Sequence, residues 1–198
     1  MTEYLVPYES AESEFEEKRS RFISHVFLVE SEAEARARID EMKKKYYDAR
    51  HNCWCFVLHD GTVRYGDDGE PQGTAGQPML NVFQRENVEN VVCIVTRYFG
   101  GILLGTGGLV RAYQGSVKLG LEGLPVTLRE DMRRFVVSIE PHQVSDFQHF
   151  LAESRGRVQS SDFRFDATFE VLVPTGRGGR LRRAPVGGHG GRSAHRSD

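Results

Sequence analysis

Five consecutive apolar residues, at positions 91–95 (Val-Val-Cys-Ile-Val), constrain the fold of this 198-residue chain more than any other segment. They lie in the middle of residues 88–99, and no polar residue interrupts them. Such a run, with polar residues at its ends, is typical of a strand that is covered on both faces. We therefore predict that residues 91–95 form the centre of a sheet with other elements packed on both sides.

A strand and a helix are predicted before this segment. Residues 21–29 are rich in β-branched and aromatic side chains, which favours a strand. Ser31 is followed three positions later by Glu34, the spacing of a capping box that opens a helix. Apolar residues then recur at helical spacing, which predicts a helix over about 32–47. Its apolar positions are Ala35, Ile39, Met42 and Tyr46.

A β-hairpin and a second helix are also predicted within the first 124 residues. Residues 52–58 and 62–65 flank Asp60-Gly61, a dipeptide that favours a type I′ turn. Residues 105–124 keep one helical face apolar, and Gly123 with Pro125 supplies a stop. The helix is expected to pack on the sheet.

The pattern over residues 126–173 predicts a β-α-β-β arrangement. Residues 135–139 alternate, residues 144–151 have helical spacing that ends before Gly156, and residues 163–173 alternate again. We expect Leu124-Pro125 to join this part to the first domain. A complete split β-α-β unit would need another helix and another strand, so this domain is predicted to be incomplete.

Residues 174–198 are mostly Gly, Arg, Ser and His and are predicted to be disordered. From Thr175 onward there are six Arg and one acidic residue, a charge of +5, whereas the whole chain carries −2. The preceding body therefore carries −7 and is no general surface for polyanions. The tail is interpreted either as an arginine-glycine arm for RNA or as a segment without a selected role. The second interpretation is favoured because the composition changes abruptly within a fold unit.

Bulk properties predict a soluble, unexported protein. No stretch reaches the roughly 18 consecutive apolar residues of a membrane span, and residues 1–10 lack the basic-then-apolar order of a signal peptide. The three cysteines lie within apolar runs, as expected of reduced core thiols. The sequence thus predicts a cytoplasmic location and no membrane partner.

Four segments together resemble the core domain of the IMPACT family, in its bacterial, YigZ-like form. They are residues 18–23 (Lys-Arg-Ser-Arg-Phe-Ile), residues 48–53 (Asp-Ala-Arg-His-Asn-Cys), residues 66–78 and residues 97–113. Residues 66–78 begin Gly-Asp-Asp-Gly-Glu-Pro, and residues 97–113 begin Arg-Tyr-Phe-Gly-Gly. The resemblance covers residues 5–124, is weaker over residues 126–173, and does not include the tail.

The resemblance implies an α+β fold with two domains. Residues 1–124 would form a ribosomal-protein-like β-α-β core with a left-handed crossover, as in domain IV of elongation factor G. Residues 126–173 would form an incomplete ferredoxin-like C-terminal domain, similar to domain V of that factor. Eukaryotic relatives regulate translation by interfering with the activation of an amino-acid-starvation kinase, through an additional N-terminal domain. For bacterial members, analogy of fold suggests RNA, the ribosome or a translation factor as partner. We predict a non-catalytic protein without a cofactor, because the sequence supplies no nucleophile with its base at a readable spacing.

A glycine-rich turn lies between the predicted central strand and the predicted second helix. Backbone N–H groups and the positive end of a helix dipole favour an anion at such a place, so phosphate is one candidate ligand. The turn lacks the spacing of nucleotide-binding motifs, and no nucleotide cofactor is predicted. The alternative is that the glycines only permit tight turns and close packing. The turn comprises Gly100, Gly101, Gly105, Thr106, Gly107 and Gly108.

Arg97 and Arg111 flank this turn, and Tyr98 and Tyr113 add aromatic surface. Arginine with aromatic residues suits phosphate and unstacked bases. These residues and the glycine-rich turn form the predicted nucleic-acid or anion site. Alternatively, Arg97 pairs with Asp67 or Asp68, and the tyrosines belong to the core.

Supporting roles are assigned to Arg50, His51, Asp67 and Asp68. Asp67, Asp68 and Glu70 form an acidic turn that either holds Mg²⁺ or, as favoured, anchors Arg50 or His51. Alternation along one strand also gives His51 the same face as Cys53 and Cys55, but buried thiols are favoured over a metal site.

Two further functions remain open beside binding to RNA or the translation machinery. One is an enzyme for a phosphorylated or peptide substrate with Asp67, Asp68 and His51 as acid–base groups, which requires these groups to converge in a pocket. The other is a purely protein-interaction role, which would show as co-purification insensitive to RNase.

Overall fold

A computed structural model describes residues 3–163 and 166–175 of the chain. Its contacts divide the chain into two compact units. The first, which we call the core unit, spans Tyr4–Arg129. The second, the C-terminal unit, comprises Glu130–Asp198 together with Met1–Glu3. The division falls five residues after the predicted joint at Leu124-Pro125, because the intervening strand pairs with the first strand of the chain.

The fold is mixed, with four α-helices interspersed among ten strands in the described part of the chain. Those at the start of the chain are β1 (Glu3–Pro7), β2 (Ala11–Glu17), β3 (Ser20–Leu28), α1 (Glu32–Lys45), β4 (His51–Val57), β5 (Val63–Gly66), α2 (Gly76–Arg85), β6 (Val91–Tyr98), α3 (Gly105–Glu122) and β7 (Val126–Glu130). They are followed by β8 (Met132–Ile139), a short 3₁₀ turn (Pro141–Gln143), α4 (Val144–Glu153), β9 (Arg157–Phe163) and β10 (Ala167–Pro174).

The main sheet of the core unit has the strand order β2-β3-β6-β4-β5, and every neighbouring pair is antiparallel. β3 and β4 both run antiparallel to β6, so they are parallel to each other, and α1 connects them across the intervening strand. β6 occupies the centre, and residues 91–95 are fully buried. The prediction of a central strand covered on both faces is confirmed.

The two faces of the sheet are covered by different helices. Alternate residues of a strand point to opposite faces, which explains the unbroken apolar run of β6. Val92 and Ile94 pack in a cluster with the apolar side of α1. Val91, Cys93 and Val95 pack in a second cluster with α2 and α3. All three cysteines of the chain are free and buried.

The predicted helices of the core unit are confirmed, with small differences at their ends. Ser31 caps α1, since its Oγ accepts the N–H of Glu34 at 3.2 Å. The Glu34 carboxylate accepts the N–H of Glu30 at 2.8 Å, one residue before the position that a capping box requires. α3 ends one residue before Gly123, and Tyr113 and Val117 face the core.

The β4–β5 hairpin is confirmed, but the predicted type I′ turn is wrong. Only Gly61, with φ of +89°, adopts the left-handed region. Leu58 accepts the N–H of Gly61 and donates to the carbonyl of Thr62, so three residues form the loop. The Asp60 carboxylate accepts the N–H of Thr62 at 2.8 Å. This side-chain bond favours an ordinary turn followed by a glycine bulge.

The C-terminal unit has the β-α-β-β arrangement that its sequence predicts. Its sheet has the order β8-β10-β9, with both pairs antiparallel, and α4 covers one face. β10 extends to Pro174, and Thr175 donates to the carbonyl of Asp131, so these two residues of the predicted disordered segment are ordered. Residues 176–198 lie outside the described part of the chain.

The C-terminal unit is expected to unfold before the core unit. Its cluster contains five buried apolar residues, and the side chains of Val136 and Phe163, on its two outer strands, are 62% exposed. In the described part of this unit, each outer strand pairs on one side only, and a small core with such edges lowers the free energy of local unfolding. Limited chymotryptic digestion followed by intact-mass measurement should therefore yield a resistant core fragment that ends between residues 125 and 136. Equal protection of both units in a monomeric protein would contradict this expectation.

Among the residues that the structure describes, every helix is too short or too polar to span a lipid bilayer.

Candidate nucleic-acid interface

The four segments that carry the family resemblance meet at one end of the main sheet. In the strand register, Arg97 of β6 lies between Phe22 of β3 and His51 of β4. The β2–β3 turn precedes Phe22, and the glycine-rich turn follows Arg97. Residues distant in the sequence therefore form one continuous site, and a hydrogen-bonded network connects them.

Arg97 lies beneath this site in a buried ion pair. The residue is 5% exposed, and its Nη1 donates to Glu70 Oε1 at 2.6 Å. Its Nη2 donates to Ser20 Oγ at 3.3 Å. Pairing with Asp67 or Asp68, the predicted alternative, is wrong, because the guanidinium pairs with Glu70 instead. The guanidinium carbon lies 5.6 Å from the Phe22 ring centroid and 5.5 Å from that of Phe99.

Tyr113 and Cys53 complete this network. The Tyr113 hydroxyl donates to Glu70 Oε1 at 2.8 Å and accepts from the Cys53 thiol at 3.3 Å. Burial raises the pKa of Tyr113 and the pKa of Cys53 well above their ordinary values, so both groups keep their protons. Tyr113 therefore belongs to the core, as the alternative interpretation predicted. We call Ser20, Cys53, Glu70, Arg97 and Tyr113 the buried network.

The acidic turn organises the neighbouring backbone. The Asp67 carboxylate accepts the N–H groups of Gly73, Ala75 and Gly76 at 2.7, 3.1 and 2.8 Å, and so it caps the start of α2. Sequence reasoning missed this helix, because its capping residue lies nine positions before its first residue.

Asp68 ties the same turn to β4 and α1. Its carboxylate accepts the N–H of Asn52 at 2.7 Å and pairs with Lys43 at 2.7 Å. His51 Nδ1 lies 2.8 Å from the carbonyl oxygen of Asp68. The prediction that the acidic turn anchors His51 is confirmed. In the described part of the chain, no three His, Cys, Asp or Glu side chains are arranged to hold a metal ion.

Two cations form the turn between β2 and β3. Lys18 and Arg19 have φ of +46° and +61°, the left-handed region at both central positions of a two-residue hairpin. Asn-Gly or Asp-Gly normally occupies these positions, since other L-residues are strained there by about 1–2 kcal/mol each. Non-glycine residues held in this conformation often occur at functional sites. Both side chains are exposed.

The strained turn is fixed against the glycine-rich turn. A Cβ atom at Gly100 would lie 2.0 Å from both the carbonyl carbon and the carbonyl oxygen of Arg19, so only glycine permits this approach. Ser20 Oγ accepts the N–H of Gly100 at 3.3 Å and also the bond from Arg97. The buried network therefore positions the Lys18-Arg19 turn. Sequence reasoning missed these two residues as site residues.

Arg111 lies on α3 beside a cleft of about 500 Å³. Its Nη1 is 3.5 Å from the position that a Cβ at Gly107 would occupy, so the guanidinium lies along the first turns of the helix. The N-cap residue of α3 is Leu104, whose apolar side chain forms no capping hydrogen bond. Lys18 lines the same cleft, as do Glu17 and Glu122, the latter at the far end of α3. The cleft is also lined by Phe15, Leu104, Gly108, Ala112, Gly115 and Leu119.

Four exposed cations thus surround the glycine-rich turn: Lys18, Arg19, Arg50 and Arg111. None of them forms an ion pair with a described residue. We call them the cationic rim.

The other predicted site residues differ in exposure. Gly101, Gly105, Thr106 and Gly107 are exposed beside the cationic rim, and Gly108 is half-buried. Tyr98 is half-buried, and its hydroxyl donates to Asp48 at 2.9 Å. The structure thus brings the predicted residues together in two layers, an exposed surface above a buried network.

Comparison with known proteins identifies relatives over most of the chain. The family model described as the Impact N-terminal domain matches residues 18–121. IMPACT family member YvyE of Bacillus subtilis is 38% identical over 172 residues, which cover 86% of this chain and 79% of the relative. IMPACT family member YigZ of Escherichia coli is 34% identical over 178 residues, covering 88% and 87%. The crystal structure of a hypothetical protein is similar with a TM-score of 0.65 and 32% identity, covering 91% and 90%.

Proposed function

Because the chain belongs to the IMPACT family, we propose that it is a non-catalytic protein that regulates translation in the cytosol by binding RNA. The observation that carries the proposal is the cationic rim, four exposed cations around one glycine-rich turn that have no ion-pair partner among the described residues. Lysine and arginine side chains that lack acidic partners are suited to phosphate groups, because no ion pair must be broken when they bind.

The uneven distribution of charge supports a local RNA site. The body up to residue 174 carries −7, so most of its surface repels a polyanion. The cationic rim is therefore the part of the core unit on which phosphates are favoured. The strained backbone at Lys18 and Arg19 supports the same conclusion. The chain has two charged residues at positions where an uncharged Asn-Gly pair would be more stable, which is expected if their charges have a function.

The competing enzymatic function receives less support from the geometry. His51, Asp67 and Asp68 do lie together, as that hypothesis requires. The carboxylates of both aspartates accept backbone N–H groups, and Asp68 also pairs with Lys43. These groups hold the turn and α2 in place, which leaves the binding function as the better account.

The finer description of the fold is part of the same proposal. We assign residues 1–124 to the IMPACT-type core domain with a left-handed β3-α1-β4 crossover, supported by the parallel course of β3 and β4. We assign residues 126–173 to a partial ferredoxin-like domain. The order β8-β10-β9, in which the first and third strands are neighbours, supports this assignment.

Replacing Arg111 with glutamine is expected to weaken RNA binding about threefold at 150 mM salt, because one phosphate contact is lost. The slope of log affinity against log salt concentration should become shallower by about 0.7, the value for one phosphate of a single strand. Fluorescence anisotropy with a labelled RNA of about 20 nucleotides between 50 and 200 mM NaCl measures both quantities.

The matched control is Arg36→Gln. Arg36 is an exposed arginine of α1, which covers the opposite face of the sheet from α3. Arg36→Gln should leave the affinity for RNA and the slope of log affinity against log salt concentration almost unchanged. The proposal fails if the wild-type protein shows no salt-dependent binding to any RNA or ribosomal fraction. Association with ribosomes that survives RNase treatment would instead indicate a protein-interaction role.

A further inference from the structure

The loop between β6 and α3 exposes three apolar side chains next to the cationic rim. Leu103 is 82% exposed, Ile102 43% and Phe99 38%, whereas Leu104 is buried and anchors the loop. Single exposed apolar residues are common, but three within five residues and beside the cationic rim are unusual for a surface without a ligand. We call residues 99–104 the apolar loop.

Phe99 links the apolar loop to the cations. The Arg50 guanidinium carbon lies 5.7 Å from the Phe99 ring centroid, and that of Arg97 lies 5.5 Å from it. Arg97 is buried and held by Glu70, so it fixes the ring from within the protein. Arg50 is exposed. Aromatic rings and guanidinium planes are the surfaces on which nucleic-acid bases stack.

We propose that the apolar loop contacts unpaired bases, so that the ligand of this surface is single-stranded RNA or an unpaired loop of a folded RNA. The inference rests on the function proposed above and names its ligand class. In a duplex, the base faces are stacked inside the helix, and a protein reaches mainly phosphates and 2′-hydroxyl groups. The cationic rim could contact the phosphate groups of either form of RNA. Phe99, Ile102 and Leu103 would gain apolar contacts only from bases that are free to leave the stack.

The test compares two RNAs of equal nucleotide number with the full-length protein. One is a labelled, unstructured RNA of about 20 nucleotides, and the other is a labelled blunt-ended duplex of two complementary strands of about 10 nucleotides each, which has no unpaired bases. Anisotropy titrations at 100 mM NaCl should show that the unstructured RNA binds roughly tenfold more tightly, as expected for one or two stacked bases.

Leu103→Ala and Phe99→Ala should each weaken binding of the unstructured RNA roughly fivefold, while binding of the duplex changes less than twofold. The salt slope should stay unchanged, because no charge is removed. Leu128→Ala is the matched control, an exposed leucine of β7 that lies outside the apolar loop and should have no effect. Leu103→Ala keeps the test valid if Phe99→Ala loosens the packing around Arg97.

Equal affinity for the two RNAs, or an equal loss for both in Leu103→Ala, would overturn the inference and leave RNA binding itself intact. Binding of neither RNA would overturn both proposals. Leu103-dependent association with ribosomes that survives RNase would also overturn it, in favour of a protein partner.

Discussion

Replacing Glu70 with alanine is expected to lower the free energy of unfolding by about 3–5 kcal/mol, the largest effect of any single change considered for the core unit. The substitution leaves the Arg97 guanidinium buried without its carboxylate, at 5% exposure and between two aromatic rings. The Tyr113 hydroxyl loses its acceptor at the same time. Urea denaturation followed by far-UV circular dichroism measures the change.

Two further variants separate the cost of an unpaired charge from a general loss of packing. Glu32→Ala removes one partner of the exposed Glu32–Arg36 pair on α1, and it should change the free energy of unfolding by no more than about 0.5 kcal/mol. Glu70→Leu combined with Arg97→Met removes both buried charges and should recover most of the loss. A loss below about 1 kcal/mol in Glu70→Ala would show that the buried network does not stabilise the core unit.

Replacing Lys18 with asparagine and Arg19 with glycine is expected to change stability and RNA affinity in opposite directions. Asn-Gly is the preferred sequence for a turn with both central residues in the left-handed region, so the free energy of unfolding should rise by about 1–3 kcal/mol. RNA affinity at 150 mM salt should fall roughly tenfold, because two phosphate contacts disappear. Denaturation and anisotropy titrations on the same preparation measure the two quantities.

The control for charge is Lys44→Asn with Arg36→Gln, which removes two exposed cations from α1 and leaves the turn unchanged. This variant should bind RNA nearly as well as the wild type. If the Asn-Gly variant is more stable but binds RNA as well as the wild type does, the strained turn serves a purpose other than RNA binding. If it is less stable, Lys18 and Arg19 make contacts that outweigh the strain at these positions.

The elements that the sequence predicts well are those whose periodicity is local. Residues 91–95 are apolar without interruption because both faces of β6 are covered. α1 begins at Glu32, directly after its capping residue Ser31, and this cap involves only neighbouring residues. The β-α-β-β order of the C-terminal unit likewise follows from short alternating and helical patterns.

Elements and contacts that depend on distant residues could not be predicted in the same way. α2 begins where the Asp67 carboxylate accepts its first N–H groups, a contact that no local pattern indicates. The Lys18-Arg19 turn contradicts the usual preference for Asn-Gly, since Gly100 and Ser20 hold it in place from outside. The pairing of Arg97 with Glu70 depends on the packing of the acidic turn against the sheet.

Arg97 and Arg111 illustrate how the predicted site divides. The sequence places both beside the glycine-rich turn, and the structure confirms that proximity. Arg97 nevertheless lies in the middle of three paired strands, where its charge must be neutralised within the protein. Arg111 is exposed on α3, where it has no acidic partner among the described residues. In the proposed RNA site, Arg97 would therefore act as a positioning residue, whereas Arg111 is expected to contact RNA directly.

Photocrosslinking tests the central claim most directly. The full-length protein is irradiated with a 4-thiouridine-substituted RNA of about 20 nucleotides, digested, and analysed by mass spectrometry to identify the crosslinked peptides. The account predicts crosslinks within residues 15–21 and 97–111, the segments that carry the Lys18-Arg19 turn, the apolar loop and Arg111. Crosslinks confined to other parts of the chain, or a protein that forms none while binding RNA in solution, would contradict an RNA site at the cationic rim.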